Sequence, residues 1–158
     1  MDVKFDSLEN LALDTYLNQL KYSMRDGKKT IFDPVRKHYY IFTPEELTRQ
    51  LILQHFLQVL AWPKNLISVE KAFGLYGQQR RYDIVFYKNA STPAILVECK
   101  APSINLTNRT FEQVANYNIA LQIPFMLVSN CRDNYLFSLN FESKSYKALK
   151  TIDLYKDF

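Results

Sequence analysis

The chain has 158 residues, 47% of them hydrophobic and 15% aromatic, with only three glycines, enough for one compact domain with its own core. Its net charge of +4 permits a local basic face for nucleic acid without requiring one. The absence of an eighteen-residue apolar run, a Met1–Phe5 segment with no secretory pattern, and two isolated cysteines, Cys99 and Cys131, argue against a membrane or disulfide-framed secreted protein and for a reducing cytoplasm.

Residues 7–24 read as a helix. Ser7 is a candidate cap, and Leu8, Leu11, Leu17 and Leu20 recur at helical intervals before Asp26-Gly27. Thr30 to Phe32 reads as a short strand, Asp33-Pro34 as a turn, and Lys37 to Phe42 as a second strand. Thr43-Pro44-Glu45-Glu46 has the marks of a helix start, with Thr43 as cap and Pro44 at the first helical position. That helix should run to about Leu60, and its apolar residues spread over more than one stripe, which predicts burial. Leu66 to Phe73 reads as a strand before a turn at Gly74 to Gly77. Tyr82 to Tyr87 and Ala94 to Cys99 follow as two more strands. Thr110 to Leu121 reads as a helix, Phe125 to Ser129 as a buried strand, and Asn134 to Leu139 and Tyr146 to Leu149 as late strands. This order predicts an α/β fold, a mixed sheet with helices on both faces, spanning residues 1–158 as a single domain.

The chemistry concentrates in Arg81-Tyr82-Asp83-Ile84-Val85 and Val97-Glu98-Cys99-Lys100. On a strand, residues i and i+2 share a face, so Glu98 and Lys100 project together while Val97 and Cys99 point away. If the two strands pair as a hairpin, Asp83 near the start of one meets Glu98 near the end of the other. Two carboxylates and an ammonium among buried neighbours are costly to assemble without a cation. Mg²⁺ held by one or two carboxylates, with phosphate completing its shell, is the usual solution. The plainer reading is a solvated acid at Asp83 and a same-face ion pair between Glu98 and Lys100.

Weaker candidates surround this group. Glu45 and Glu46 both suit a helix start electrostatically, and the sequence does not decide which of them turns toward the acids. Gln113 and Tyr117 form an i, i+4 pair on the second helix, Arg49 lies on the first, and Arg80-Arg81 would suit phosphate. Tyr39, Tyr40, Tyr82, Tyr87 and Tyr135 are candidates for stacking on bases. No Cys or His spacing suits zinc, and no phosphate-cradling glycine loop is present.

Asp83 followed by Glu98-Cys99-Lys100 resembles the active site of the PD-(D/E)xK nuclease superfamily. More narrowly, the chain is similar to the N-terminal nuclease domain of type I restriction enzyme restriction (R) subunits, in a short stand-alone form. The resembling segments run from Ile31–Lys37 and Thr43–Gln50, through the two strands above, to Phe111–Asn118 and Leu127–Asn130, so that the core covers about residues 30–140. The resemblance implies a restriction-endonuclease-like three-layer fold and Mg²⁺-dependent DNA cleavage, with Mn²⁺ as a substitute. It implies Asp83 and Glu98 as metal ligands, Lys100 as the catalytic lysine, and a supporting glutamate from Glu45 and Glu46. Gln113 and Tyr117 would support the site, and Arg49, Arg80, Arg81 and Tyr117 would meet nucleic acid. DNA and the motor and specificity subunits of a restriction system are the implied partners, in a prokaryotic cytoplasm. A homodimer is left open, as is a nuclease-fold binding or adaptor module without turnover of its own.

Overall fold

The computed structural model describes residues 7–9 and 11–152. Its centre is a six-stranded mixed sheet, and the strands that build the site are a hairpin, β7 (Ile84–Asn89) and β8 (Thr92–Cys99). A crossover through helix α2 (Asn108–Leu121) brings β9 (Phe125–Ser129) parallel to β8, and β10 (Asn134–Asn140) and β11 (Ser145–Leu149) continue the sheet antiparallel. On the other side β4 (Ile67–Val69) pairs with β7. Alternation divides the side chains between two layers. Ile84, Phe86, Ile95, Val97, Cys99 and Leu127 pack with helix α1 (Pro44–Gln58), whereas Val85, Leu96, Met126 and Val128 pack with Val114 of α2. The expected three layers are therefore present: helix, mixed sheet, helix.

Helix α1 starts as its sequence predicts. The Glu46 N–H donates to the Thr43 hydroxyl at 3.0 Å and Pro44 occupies the first turn. Its burial is wide, including Leu51, Ile52, Leu53 and Phe56 at no exposure and the polar Thr48, Arg49 and Gln50.

Two expectations fail. The helix expected over 7–24, whose residue 10 lies outside the described residues, is a 3₁₀ helix over Leu13–Gln19 followed by strand β1 (Tyr22–Arg25). β1 pairs with β2 (Lys28–Asp33), which pairs in turn with β3 (His38–Ile41). Asp26-Gly27, read as a helix end, has both φ angles positive and makes the hairpin turn that such a pair favours. Leu17, counted in the helical stripe, is 43% exposed, while Leu13 and Tyr16 are buried three residues apart. The strand expected over 66–73 is also broken. Glu70 adopts φ 50°, outside the strand region, and separates β4 from β5 (Ala72–Leu75), which pairs with β6 (Gln78–Arg81) as a detached ribbon. Arg80 and Arg81 thus lie on a strand.

Candidate active site

β7 and β8 deliver the acids. Ile84 pairs with Val97, so Asp83 and Glu98 stand one step beyond, at the sheet end where the apolar alternation stops. The Asp83 Oδ2 accepts the Cys99 N–H at 2.6 Å, and its Oδ1 accepts the Arg49 Nη2 at 2.5 Å. The Glu98 Oε1 accepts the Lys100 ammonium at 2.7 Å and its Oε2 accepts the Tyr117 hydroxyl at 2.5 Å. Lys100 is fixed by its own backbone: its N–H donates to the Ser129 carbonyl at 2.8 Å and its carbonyl accepts the Thr48 hydroxyl at 2.9 Å. Both helices therefore fasten the end of β8.

Behind Asp83 lies a network that the sequence reading did not assemble. Asp33, fully buried, accepts the Val35 and Arg36 N–H groups, the Arg36 Nε and the Gln50 amide. Arg36 then donates to Glu46 at 2.8 Å and to Glu70 at 2.9 Å, and Arg49 donates to Glu46 and lies 3.3 Å from Glu70. Arg81 reaches Glu70 from the surface at 3.6 Å. Glu46 is the glutamate that faces the site, whereas Glu45 is exposed and reaches Lys100 only through its charge. Arg49, expected against nucleic acid, is 5% exposed and spent on three carboxylates, so it is not free to meet a phosphate. In the sequence Asp33 reads as the start of a turn and Arg36 only as part of the resembling segment Ile31–Lys37, with no site role for either. Glu70 carried no signal, because a glutamate does not advertise a left-handed backbone as glycine does.

The charges do not balance internally. Asp33, Glu46, Glu70, Asp83 and Glu98 face Arg36, Arg49 and Lys100, with Arg81 reaching in from solvent. Burial, and then the neighbouring Asp83 carboxylate, push Glu98 above the usual glutamate range, and the bonds from Lys100 and Tyr117 do not offset them. Burial alone would lower Lys100, but its bond to Glu98 and the surrounding acids leave it raised. Burial and the facing Glu98 likewise raise the Tyr117 hydroxyl, which stays protonated to donate.

Among the described residues no three acid, histidine or cysteine side chains form a ready-made metal cage. Mg²⁺ does not require one, since it keeps waters and substrate oxygens around one or two carboxylates. The donor set of Asp83 and Glu98, in surroundings richer in acid than in base, fits that demand.

Glu98 opens into a cleft of about 360 Å³ lined also by Tyr117, Gln113, Arg80, Arg81 and Tyr76. The structure thus gathers Asp83, Glu98, Lys100, Glu46 and Tyr117, sets Gln113, Arg80 and Arg81 along the cleft, and leaves Glu45 at the margin. None of the tyrosines proposed for stacking is among the residues that line this cleft. Arg25 covers Tyr39 and Arg36 covers Tyr40, Tyr82 is buried with its hydroxyl 2.8 Å from that of Ser68, and Tyr87 and Tyr135 are half-buried. Tyr76, which the sequence did not single out, is 91% exposed.

The sequence matches no curated protein. Among solved structures the chain is similar to a fragment of a protein described as the HsdR subunit of a type I restriction enzyme from Vibrio vulnificus YJ016, with a TM-score of 0.53 and 17% identity. That alignment covers 72% of this chain and 24% of the other, so the chain spans about a quarter of the length of that solved fragment and the likeness speaks for the fold. No helix among the described residues is long and apolar enough to cross a membrane. Residues 44–152, which hold Glu46, Arg49, Glu70, Asp83, Glu98, Lys100 and Tyr117, match the family described as the type I restriction enzyme R protein N terminus, and to that family the chain belongs.

Proposed function

We propose that this chain is a Mg²⁺-dependent endonuclease domain that hydrolyses phosphodiester bonds in DNA. The observation that carries the reading is the meeting of Asp83, Glu98 and Lys100 at a sheet end, in an acid-rich setting that opens on a cleft edged by arginines. Asp83 and Glu98 would hold the ion. Mg²⁺ bound there would polarise the scissile phosphate and acidify an attacking water, and Mn²⁺ would serve as well. Lys100 remains protonated in its bond with Glu98, which suits it to steady negative charge gathering on the phosphate rather than to act as a base. Tyr117 holds Glu98 in orientation, Arg49, itself held by Glu46, holds Asp83, and Gln113, Arg80 and Arg81 border the path of the DNA backbone. The membership in the R-protein family supports a restriction system, with motor and specificity subunits as partners in a prokaryotic cytoplasm.

The test is cleavage of plasmid and single-stranded DNA with Mg²⁺ and then Mn²⁺, beside Lys100→Ala. Nicking that requires metal and falls about a hundredfold or more in the variant is the expected result. One observation favours a second reading, a DNA-binding or adaptor module without turnover of its own. Every oxygen of Asp83 and Glu98 already accepts a hydrogen bond from the protein, with Arg49 on Asp83. A folded wild-type chain that binds DNA but cuts it with neither metal would favour that alternative.

A further inference from the structure

The β5–β6 ribbon stands apart from the six-stranded sheet. Every residue of β6 is exposed, while Phe73 of β5 stacks on Tyr82 and meets Tyr117, which seats the ribbon against the body. Residues 71–81 hold Lys71, Arg80 and Arg81 and no acid. Cross-strand pairing sets Phe73 with Arg80 and Leu75 with Gln78 on one side, and Ala72 with Arg81 and Gly74 with Gln79 on the other. The ribbon borders the cleft into which Glu98 opens, and its base is tied to the acid network through Arg81 and Glu70.

Two of its residues have no internal explanation. A Cβ on Gly74 would meet nothing within 4 Å, and its backbone is not left-handed, so neither packing nor conformation calls for glycine. At the tip Tyr76 and Gly77 have φ 48° and 75°, the pair of positive angles of a type I′ turn, whose first position ordinarily takes Asn, Asp or Gly. A tyrosine there carries steric cost, and at 91% exposure burial does not offset it. Both features make sense against something outside the chain.

We infer that the β5–β6 ribbon is an arm for duplex DNA, lying in a groove beside the cleft with the Tyr76 ring against the bases and Arg80 and Arg81 at the flanking phosphates. The inference rests on the nuclease reading above. A two-stranded ribbon fits the major groove, about 12 Å wide, and the bare backbone at Gly74 lets it approach closely. Lys71 and Arg80, with Arg81 shared between Glu70 and solvent, supply the attraction to phosphate, and the tie through Glu70 sets the distance between groove and acids.

The experiment is fluorescence anisotropy of a labelled duplex with the full chain, with Ca²⁺ in place of Mg²⁺ to hold off cleavage, comparing wild type with Tyr76→Asn and Tyr76→Phe. Asparagine is favoured at this turn position, so Tyr76→Asn keeps or raises the melting temperature while removing the ring. Duplex affinity about tenfold weaker for Tyr76→Asn, retained by Tyr76→Phe, is the expected result. Equal affinity for Tyr76→Asn and wild type, in a protein that binds and cuts DNA, removes the arm and leaves the nuclease reading standing. A loss seen with single-stranded DNA alone overturns the groove assignment. A wild-type chain that neither binds nor cuts DNA overturns both.

Discussion

Asp83 and Glu98 stand side by side on neighbouring strands, yet the chain holds them by different means. Asp83 belongs to the side closed by α1, where it is gripped by Arg49, which also holds Glu46 and lies against Glu70. Glu98 belongs to the side facing α2, held by one lysine and one neutral phenol at the edge of the cleft. The first half is a charge network whose members hold one another in place. The second is a carboxylate whose surroundings oppose its charge. A site assembled in this way keeps its frame when empty and reserves its unfavourable electrostatics for the group that a cation would relieve.

Replacing Arg49 tests the frame most severely. Arg49→Leu leaves Glu46, Asp83 and Glu70 facing one another without that guanidinium. Removing one partner of a buried ion pair costs about 3–5 kcal/mol, and denaturant unfolding should register a loss of that size. Mg²⁺ should then stabilise the variant more than it stabilises wild type, because a divalent ion replaces the missing positive charge. A loss below about 1 kcal/mol would place this pair among ordinary surface ion pairs and remove the contrast between the halves.

The two halves were unequally legible in the sequence. Glu98 and Lys100 share a strand, so period-two alternation alone places them together. Asp83 followed from a hairpin whose two strands were visible as apolar runs. Gln113 and Tyr117 depend on helical spacing, which is also local. The frame is different: Asp33, Arg36, Glu46, Glu70 and Asp83 come from separate elements, and their meeting depends on how α1 packs across the sheet. No local period encodes that. Arg49 shows the cost, since a cation on a helix near a nucleic-acid site reads as a phosphate contact until its burial is known. The N-terminal helix failed for a related reason. Leucine spacing fits a helix and a 3₁₀ segment leading into a strand equally well, and only the pairing of Tyr22 with Ile31 decides between them.

On the Glu98 side, losses should be smaller. Tyr117→Phe deletes the donor to Glu98 Oε2 and leaves the ring in place beside Phe73. One hydrogen bond to a charged acceptor is worth about 1.5 kcal/mol or somewhat more, so the expected loss in unfolding free energy is well below that of Arg49→Leu. Cleavage should fall more than stability does, because the carboxylate loses its orientation. A variant that cuts DNA as wild type does would show that Lys100 alone orients Glu98.

The smallest stability effect, and the sharpest division between the halves, is expected for Glu98→Gln. Glutamine can accept from Lys100 through its oxygen and donate to the Tyr117 oxygen through its amide, so both bonds have replacements. Because burial raises the folded-state value of Glu98, the protonated form is the one that the fold favours. That contribution is fully present below the unfolded value near 4.5 and is lost as pH rises through the raised folded value. In metal-free buffer, wild type should therefore lose stability relative to Glu98→Gln as pH climbs from about 4.5, and the variant should equal or exceed it by roughly 1 kcal/mol at neutral pH. Mg²⁺ should reverse the order, since an ion bound to the carboxylate favours its charged form and the amide offers it no charge. Thermal melts across pH, with EDTA and with Mg²⁺, give both comparisons in one series. If wild type remains the more stable protein in EDTA at every pH, Glu98 belongs to the frame with Asp83, and the site has no half reserved for a cation.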